Sequence, residues 1–216
     1  MTLLRNYKHM NYPEKIVTVD KFAEVTYKEK NSVFKGQVYQ CETENEAANI
    51  LERIKKKYYD ATHHCFAYKL INEQFKYSDD GEPNGTAGIR ILNAIEHFNL
   101  INVIVVIIRY YGGTKLGIGP LGKAYYNSAL DVLKEAKKLE KVLFQKVNIE
   151  ADFKYTSHIH RILSSHNATI ENSEYKEKAN FECFIMPSDL SKITLQLTDI
   201  SKGEIKIVAT KVNYFR

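Results

Sequence analysis

Two glycine-rich stretches hold most of the residues that could do chemistry in this chain. The first runs Ser78-Asp79-Asp80-Gly81-Glu82-Pro83-Asn84-Gly85-Thr86-Ala87-Gly88, and the second Arg109-Tyr110-Tyr111-Gly112-Gly113-Thr114-Lys115-Leu116-Gly117-Ile118-Gly119. Each follows a strand-like run and precedes a helical pattern, so each is expected to join a strand end to a helix start. Backbone N–H groups there lack partners, the helix dipole favours an anion, and glycine lets a ligand approach the main chain. Both loops could hold phosphate. Tight turns with solvated acids would account for one such loop alone; two on one domain favour ligand binding. On this reading Arg109, Lys115 and Lys123 contact phosphate together with Thr86 and the loop N–H groups, and Tyr110 or Tyr111 stacks a base. A rival reading makes the same cleft an enzyme site for a phosphorylated substrate, with Asp79, Asp80 and Glu82 as acid/base or magnesium-holding groups. A third is a protein-interaction module that binds no RNA.

Other motifs fail on chemistry. Gly117 to Lys123 fits Gly-x-x-x-x-Gly-Lys, but the Ser or Thr that a P-loop needs for magnesium is replaced by Ala124. Gly117, Gly119 and Gly122 fit a dinucleotide fingerprint, yet Arg109 to Leu116 separates them from the strand that should feed them. His63, His64 and Cys65 are adjacent and alternate between strand faces, and His158, His160 and His166 lack the i, i+4 spacing of a zinc pair. There is no nucleophile elbow. No catalytic residue is therefore assigned, and no metal or cofactor is expected.

The elements that must position these loops can be read from periodicity. Phe22 to Tyr27 and Val33 to Cys41 read as strands joined by a polar turn, and Thr43 with Glu46 forms a capping box ahead of Ala47, Leu51, Ile54 and Tyr58 at helical spacing. His64 to Ile71 and Phe75 to Tyr77 suggest a hairpin turning at Asn72-Glu73. Thr86 can cap the helix carrying Ile91, Ile95 and Phe98. Ile101 to Ile108 is apolar and β-branched, as suits a central strand covered on both faces. Pro120 starts a helix with the line Leu121, Tyr125, Ser128, Val132 and Ala136. A charged stretch, Lys137 to Lys141, marks the domain junction, giving domains 1–140 and 141–216. The remainder reads strand-helix-strand-strand-helix-strand, with Ser188 as N-cap and Gly203 as C-terminal cap of the last helix. That order is a ferredoxin-like βαββαβ domain. The fold class is thus α+β in two domains. Ligand capture is expected in the first, while the second orients it on a partner and adds affinity.

Composition limits the setting. The chain has 216 residues, 44% of them hydrophobic, and a formal net charge of +5; two small cores are the natural partition. Val103 to Ile108 is too short to cross a membrane, and the start of the chain lacks a signal-peptide pattern. Cys41, Cys65 and Cys183 are widely spaced and suit reduced thiols. A cytoplasmic location is expected, with no membrane partner. The basic surplus permits contact with RNA without demonstrating it.

The paired motifs Asp79-Asp80-Gly81-Glu82-Pro83 with Gly85-Thr86-Ala87-Gly88, and Arg109-Tyr110-Tyr111-Gly112-Gly113-Thr114-Lys115-Leu116-Gly117, resemble the signature of the YigZ/Impact family. Ala61 to Tyr68 is similar to the segment that precedes the first motif. The chain departs from the pattern at Arg90, where Pro is usual, at Pro120, where Gly is usual, and at Lys123, where Arg is usual. The resemblance implies a first domain with the ribosomal protein S-five domain-two-like fold. It implies a second domain similar to the C-terminal domain of elongation factor G. It also implies a link to translation: the eukaryotic members restrain activation of a translation-initiation kinase by competing for its activator, while the bacterial members have no firmly assigned activity. Only about twenty residues precede the first expected strand, which points to the bacterial type. RNA, the ribosome or a protein of translation control are the partners implied.

Overall fold

In a computed structural model, residues 12–71 and 74–216 are described. The turn expected at Asn72-Glu73 lies outside them. Contacts divide the chain into two units, one of residues 16–140 with Tyr12, the other of Pro13–Lys15 with Lys141–Arg216.

The first unit is built around its last strand. Strands β2 (Ala23–Glu29), β3 (Ser32–Gln40), β4 (His63–Lys69), β5 (Phe75–Ser78) and β6 (Val103–Tyr110) form an antiparallel sheet in the order β2-β3-β6-β4-β5. Every side chain from Val103 to Ile108 is fully buried. Because successive residues face opposite ways, Val103, Val105 and Ile107 enter the core shared with helices α2 (Gly88–His97) and α3 (Ile118–Glu135). Ile104, Val106 and Ile108 enter a second core under α1 (Glu44–Lys57).

Helix α1 begins as its sequence dictates. The Thr43 hydroxyl accepts from the Glu46 N–H at 3.1 Å, and the Glu46 carboxylate accepts from the Glu42 N–H at 2.8 Å. Helix α2 does not: its N-cap is Ala87, without a side-chain cap, and the Thr86 hydroxyl instead donates to the Pro83 carbonyl at 2.6 Å. A strand absent from the periodicity reading, β1 (Lys15–Val19), precedes the rest. Its Thr18 is buried because its hydroxyl reaches the Asn102 carbonyl.

The second unit has the expected order. Strand β7 (Lys138–Ala151), helix α4 (Thr156–Ser165), strands β8 (Thr169–Tyr175) and β9 (Ala179–Ile185), helix α5 (Pro187–Ser201) and strand β10 (Lys206–Phe215) follow one another. The sheet runs β10-β7-β9-β8, all antiparallel. Strand β7 already begins at Lys138, within the charged stretch. One local expectation is corrected. Helix α5 is opened by Pro187 at its first turn with Met186 as N-cap, so Ser188 lies inside it. Gly203 does close that helix, its N–H donating to the Thr198 carbonyl at 3.0 Å.

Removing the α1 cap should be felt. Thr43→Ala leaves the Glu46 N–H without its acceptor and should destabilise the first unit by about 1 kcal/mol, read as a lower urea midpoint by circular dichroism.

Candidate functional site

Cross-strand pairing assembles a row at one end of the first sheet. His63 on β4 and Phe34 on β3 both stand opposite Arg109 on β6. Arg109 shares its face with Ile107 and so points toward α2 and α3, where it is 5% exposed. Glu82, equally buried, reaches this row from the first loop. Its Oε1 accepts from Arg109 Nη1 at 2.5 Å and from the Tyr125 hydroxyl of α3 at 2.7 Å, and His63 Nε2 lies 3.8 Å away. The other Arg109 amino group donates to Ser32 Oγ at 3.3 Å, and the guanidinium faces the rings of Phe34 and Tyr111 at 5.3 and 5.5 Å.

Taking two ions out of water costs several kcal/mol each unless they are paired and hydrogen-bonded. That requirement explains the arrangement. Burial, then the neighbouring Cys65 and Glu82, push the Tyr125 hydroxyl far up, so it serves as a fixed donor. Burial likewise pushes the Cys65 thiol up, and its hydrogen goes to the Asp79 carbonyl at 3.0 Å. Cys65 is fully buried.

The acids of the first loop part company. Asp79 accepts from the N–H groups of Gly85, Ala87 and Gly88 at 2.8 to 2.9 Å, so its carboxylate fills the anion site at the start of α2. Asp80 accepts from the His64 N–H at 2.7 Å and the Lys55 ammonium at 3.2 Å. Burial works to raise the Asp80 carboxyl, but the His64 N–H and Lys55 outweigh it and hold the group below its ordinary 3.8. Among the described residues, no three His, Cys, Asp or Glu side chains are placed to hold a metal ion. The expected cradle for phosphate at the first loop is thus occupied from within the chain. Thr86 is likewise buried and donates to the Pro83 carbonyl, and Arg109 is buried and paired with Glu82.

The second loop is different. The start of α3 has no side-chain cap, and Gly113, Lys115, Gly117 and Lys123 are exposed. Tyr110 donates its hydroxyl to Asp60 at 2.9 Å. Tyr111 is 44% exposed with its ring set against Arg109. Two glycines are fixed by close approach: a Cβ on Gly112 would stand 2.0 Å from the Asn31 carbonyl carbon, and one on Gly88 2.7 Å from the Ser78 nitrogen. Gly81, Gly85, Gly113 and Gly117 adopt positive φ, and Pro83 is an exposed turn residue.

Residues 30–133, which hold both loops, match the Impact N-terminal domain, and residues 149–204 match a domain of unknown function, DUF1949. IMPACT family member YvyE of Bacillus subtilis is 31% identical over 183 residues, 81% of this chain and 84% of that protein. The chain belongs to the IMPACT family. IMPACT family member YigZ of Escherichia coli is 28% identical, covering 76% of this chain and 82% of its own length. A crystal structure of a hypothetical protein is similar over 92% of this chain and 98% of that one, with a TM-score of 0.68 and 25% identity. In this IMPACT chain the signature residues therefore divide into an inner set, Asp79, Asp80, Glu82 and Arg109, and an outer set around Lys115.

His63 and Tyr125 are members of the inner set that sequence reading missed. A tyrosine within an apolar helical line needs a partner for its hydroxyl, and that was the available signal.

Two outcomes follow for stability. Gly112→Ala forces a methyl into the Asn31 backbone and should lower the melting temperature by several degrees. Because the Asp80 carboxyl is depressed, its stabilisation is complete above its unfolded value near 3.9 and is lost as pH falls through the lower folded value. Asp80→Asn should therefore lower the melting temperature at neutral pH and make little difference once the pH lies below the folded value of the carboxyl.

Proposed function

We propose that this chain is a non-enzymatic regulator linked to translation, acting in the cytoplasm by binding RNA or a ribosomal surface through the outward side of its motif loops. One observation carries the reading. The acids of the first motif all find partners inside the protein, whereas Lys115 and Lys123 face solvent with no carboxylate partner among the described residues. Arg90 joins them: a Cβ on Gly122, beside Lys123, would be 3.4 Å from the Arg90 Nε. Glycine at Gly113, Gly117 and Gly119 leaves the intervening backbone open, with no atom within 4 Å of an added Cβ. A polyanion can approach that surface closely. The enzyme alternative lacks support, since Asp79, Asp80 and Glu82 do not converge on one substrate position.

Association driven by phosphate contacts must weaken as salt rises, with a slope of about 0.7 per neutralised phosphate on a single strand. The test is sedimentation with ribosomes and anisotropy of a labelled RNA across a salt series. Lys115→Ala with Lys123→Ala should bind more weakly and reduce the slope by about 1.4 while melting like the parent protein. Binding indifferent to salt and to both substitutions would overturn the reading, and a protein partner that survives nuclease would put an interaction module in its place.

A further inference from the structure

The face of the first sheet that carries α1 is only half covered. Helix α1 packs over β4 and β6, but no β2 side chain enters its core. The β2 residues on that face, Glu24, Thr26 and Lys28, are all exposed. Register sets out what lies on this open half: Lys28, Val33 and Tyr110 form one row across β2, β3 and β6, and Thr26, Lys35 and Ile108 form the next. The Lys35 ammonium stands 5.4 Å from the Tyr58 ring and 6.0 Å from the Tyr110 ring, and the Lys57 ammonium 5.0 Å from the Tyr58 ring. Tyr59, the next residue, is 84% exposed.

The balance of charge on this half is basic. Lys28, Lys35 and Lys57 have no carboxylate partner among the described residues, against two carboxylates nearby that accept only from neutral donors: Glu24 from Tyr58 and Gln37, and Asp60 from Tyr110. Lys28 and Lys35 are diagonal neighbours, about 7–8 Å apart at the backbone, a spacing that phosphates of one flexible strand can bridge. The surface also continues into the second loop. Tyr110 begins that loop, and Gly112 lies against the backbone of Asn31 in the turn between β2 and β3.

We propose that the open half of this sheet is a track for single-stranded nucleic acid, with Lys28, Lys35 and Lys57 on the phosphates and Tyr59 as a stacking platform at its edge. Lysines beside exposed tyrosine are the combination that holds single strands without reading their sequence. The inference rests on the RNA-binding reading above and adds a second, separate contact surface to it.

The experiment uses the full chain and a labelled single-stranded RNA of mixed sequence, with anisotropy read across a salt series. Lys28→Ala with Lys57→Ala, both at exposed positions, should reduce the salt slope by about 1.4. Tyr59→Ala should weaken binding roughly 5-fold or more, the effect of losing one stacked base. Lys28→Glu, which cannot perturb a core, should weaken it further than Lys28→Ala. If the unaltered protein binds and Lys115→Ala with Lys123→Ala weakens it, yet the sheet variants bind like the parent, the track is wrong and the loop reading stands. If the unaltered protein binds no RNA, both fall together.

Discussion

The buried carboxylate of Glu82 is the constraint around which the first unit is arranged. It cannot remain ionised in the interior without donors, and its donors come from far apart in the chain: Arg109 at the end of β6 and Tyr125 from α3. Satisfying it holds the first loop, the central strand and a helix in one relation. Arg109 in turn uses Ser32, the first residue of β3, and Ser32 Oγ also accepts from the Gly112 N–H at the start of the second loop. Removing either member of the buried ion pair would strand the other, a loss of about 3–5 kcal/mol.

This gives the acidic and basic residues of the two motifs opposite tasks. The acids serve the fold, capping α2 through Asp79 and anchoring β4 through Asp80. The exposed lysines are left with no such duty. An anion site at a helix start is useful only while it is empty, and at α2 the chain has supplied its own anion. What remains for a ligand is the second loop and the surfaces that continue from it.

Much of this was readable from residue order. The β-branched run at Val103 to Ile108 announced a strand with two buried faces, and Thr43 with Glu46 announced the start of α1. The strand and helix order of the second unit followed from spacing alone. The role of Asp79 was not readable, because it depends on positive φ at Asp80, Gly81 and Gly85 folding the loop back on its own carboxylate. The expectation for Arg109 is contact with phosphate at the second loop. Alternation along β6 places it on the same face as buried Ile107, so its inward direction could have been foreseen, but not its partner. Thr86 and Ser188 show that a good capping residue does not cap when a carboxylate or a proline already fixes that turn.

The position of β6 bears on how the chain is made. Val105 pairs with Val38 on one side and with Ala67 on the other. Strands β3 and β4 are therefore synthesised well before the strand that joins them, and until it emerges each exposes an unpaired edge. Such non-local pairing folds slowly and leaves partly built sheets open to wrong partners. For this protein the vulnerable interval in its life is translation itself, between the emergence of β4 and the arrival of residue 110.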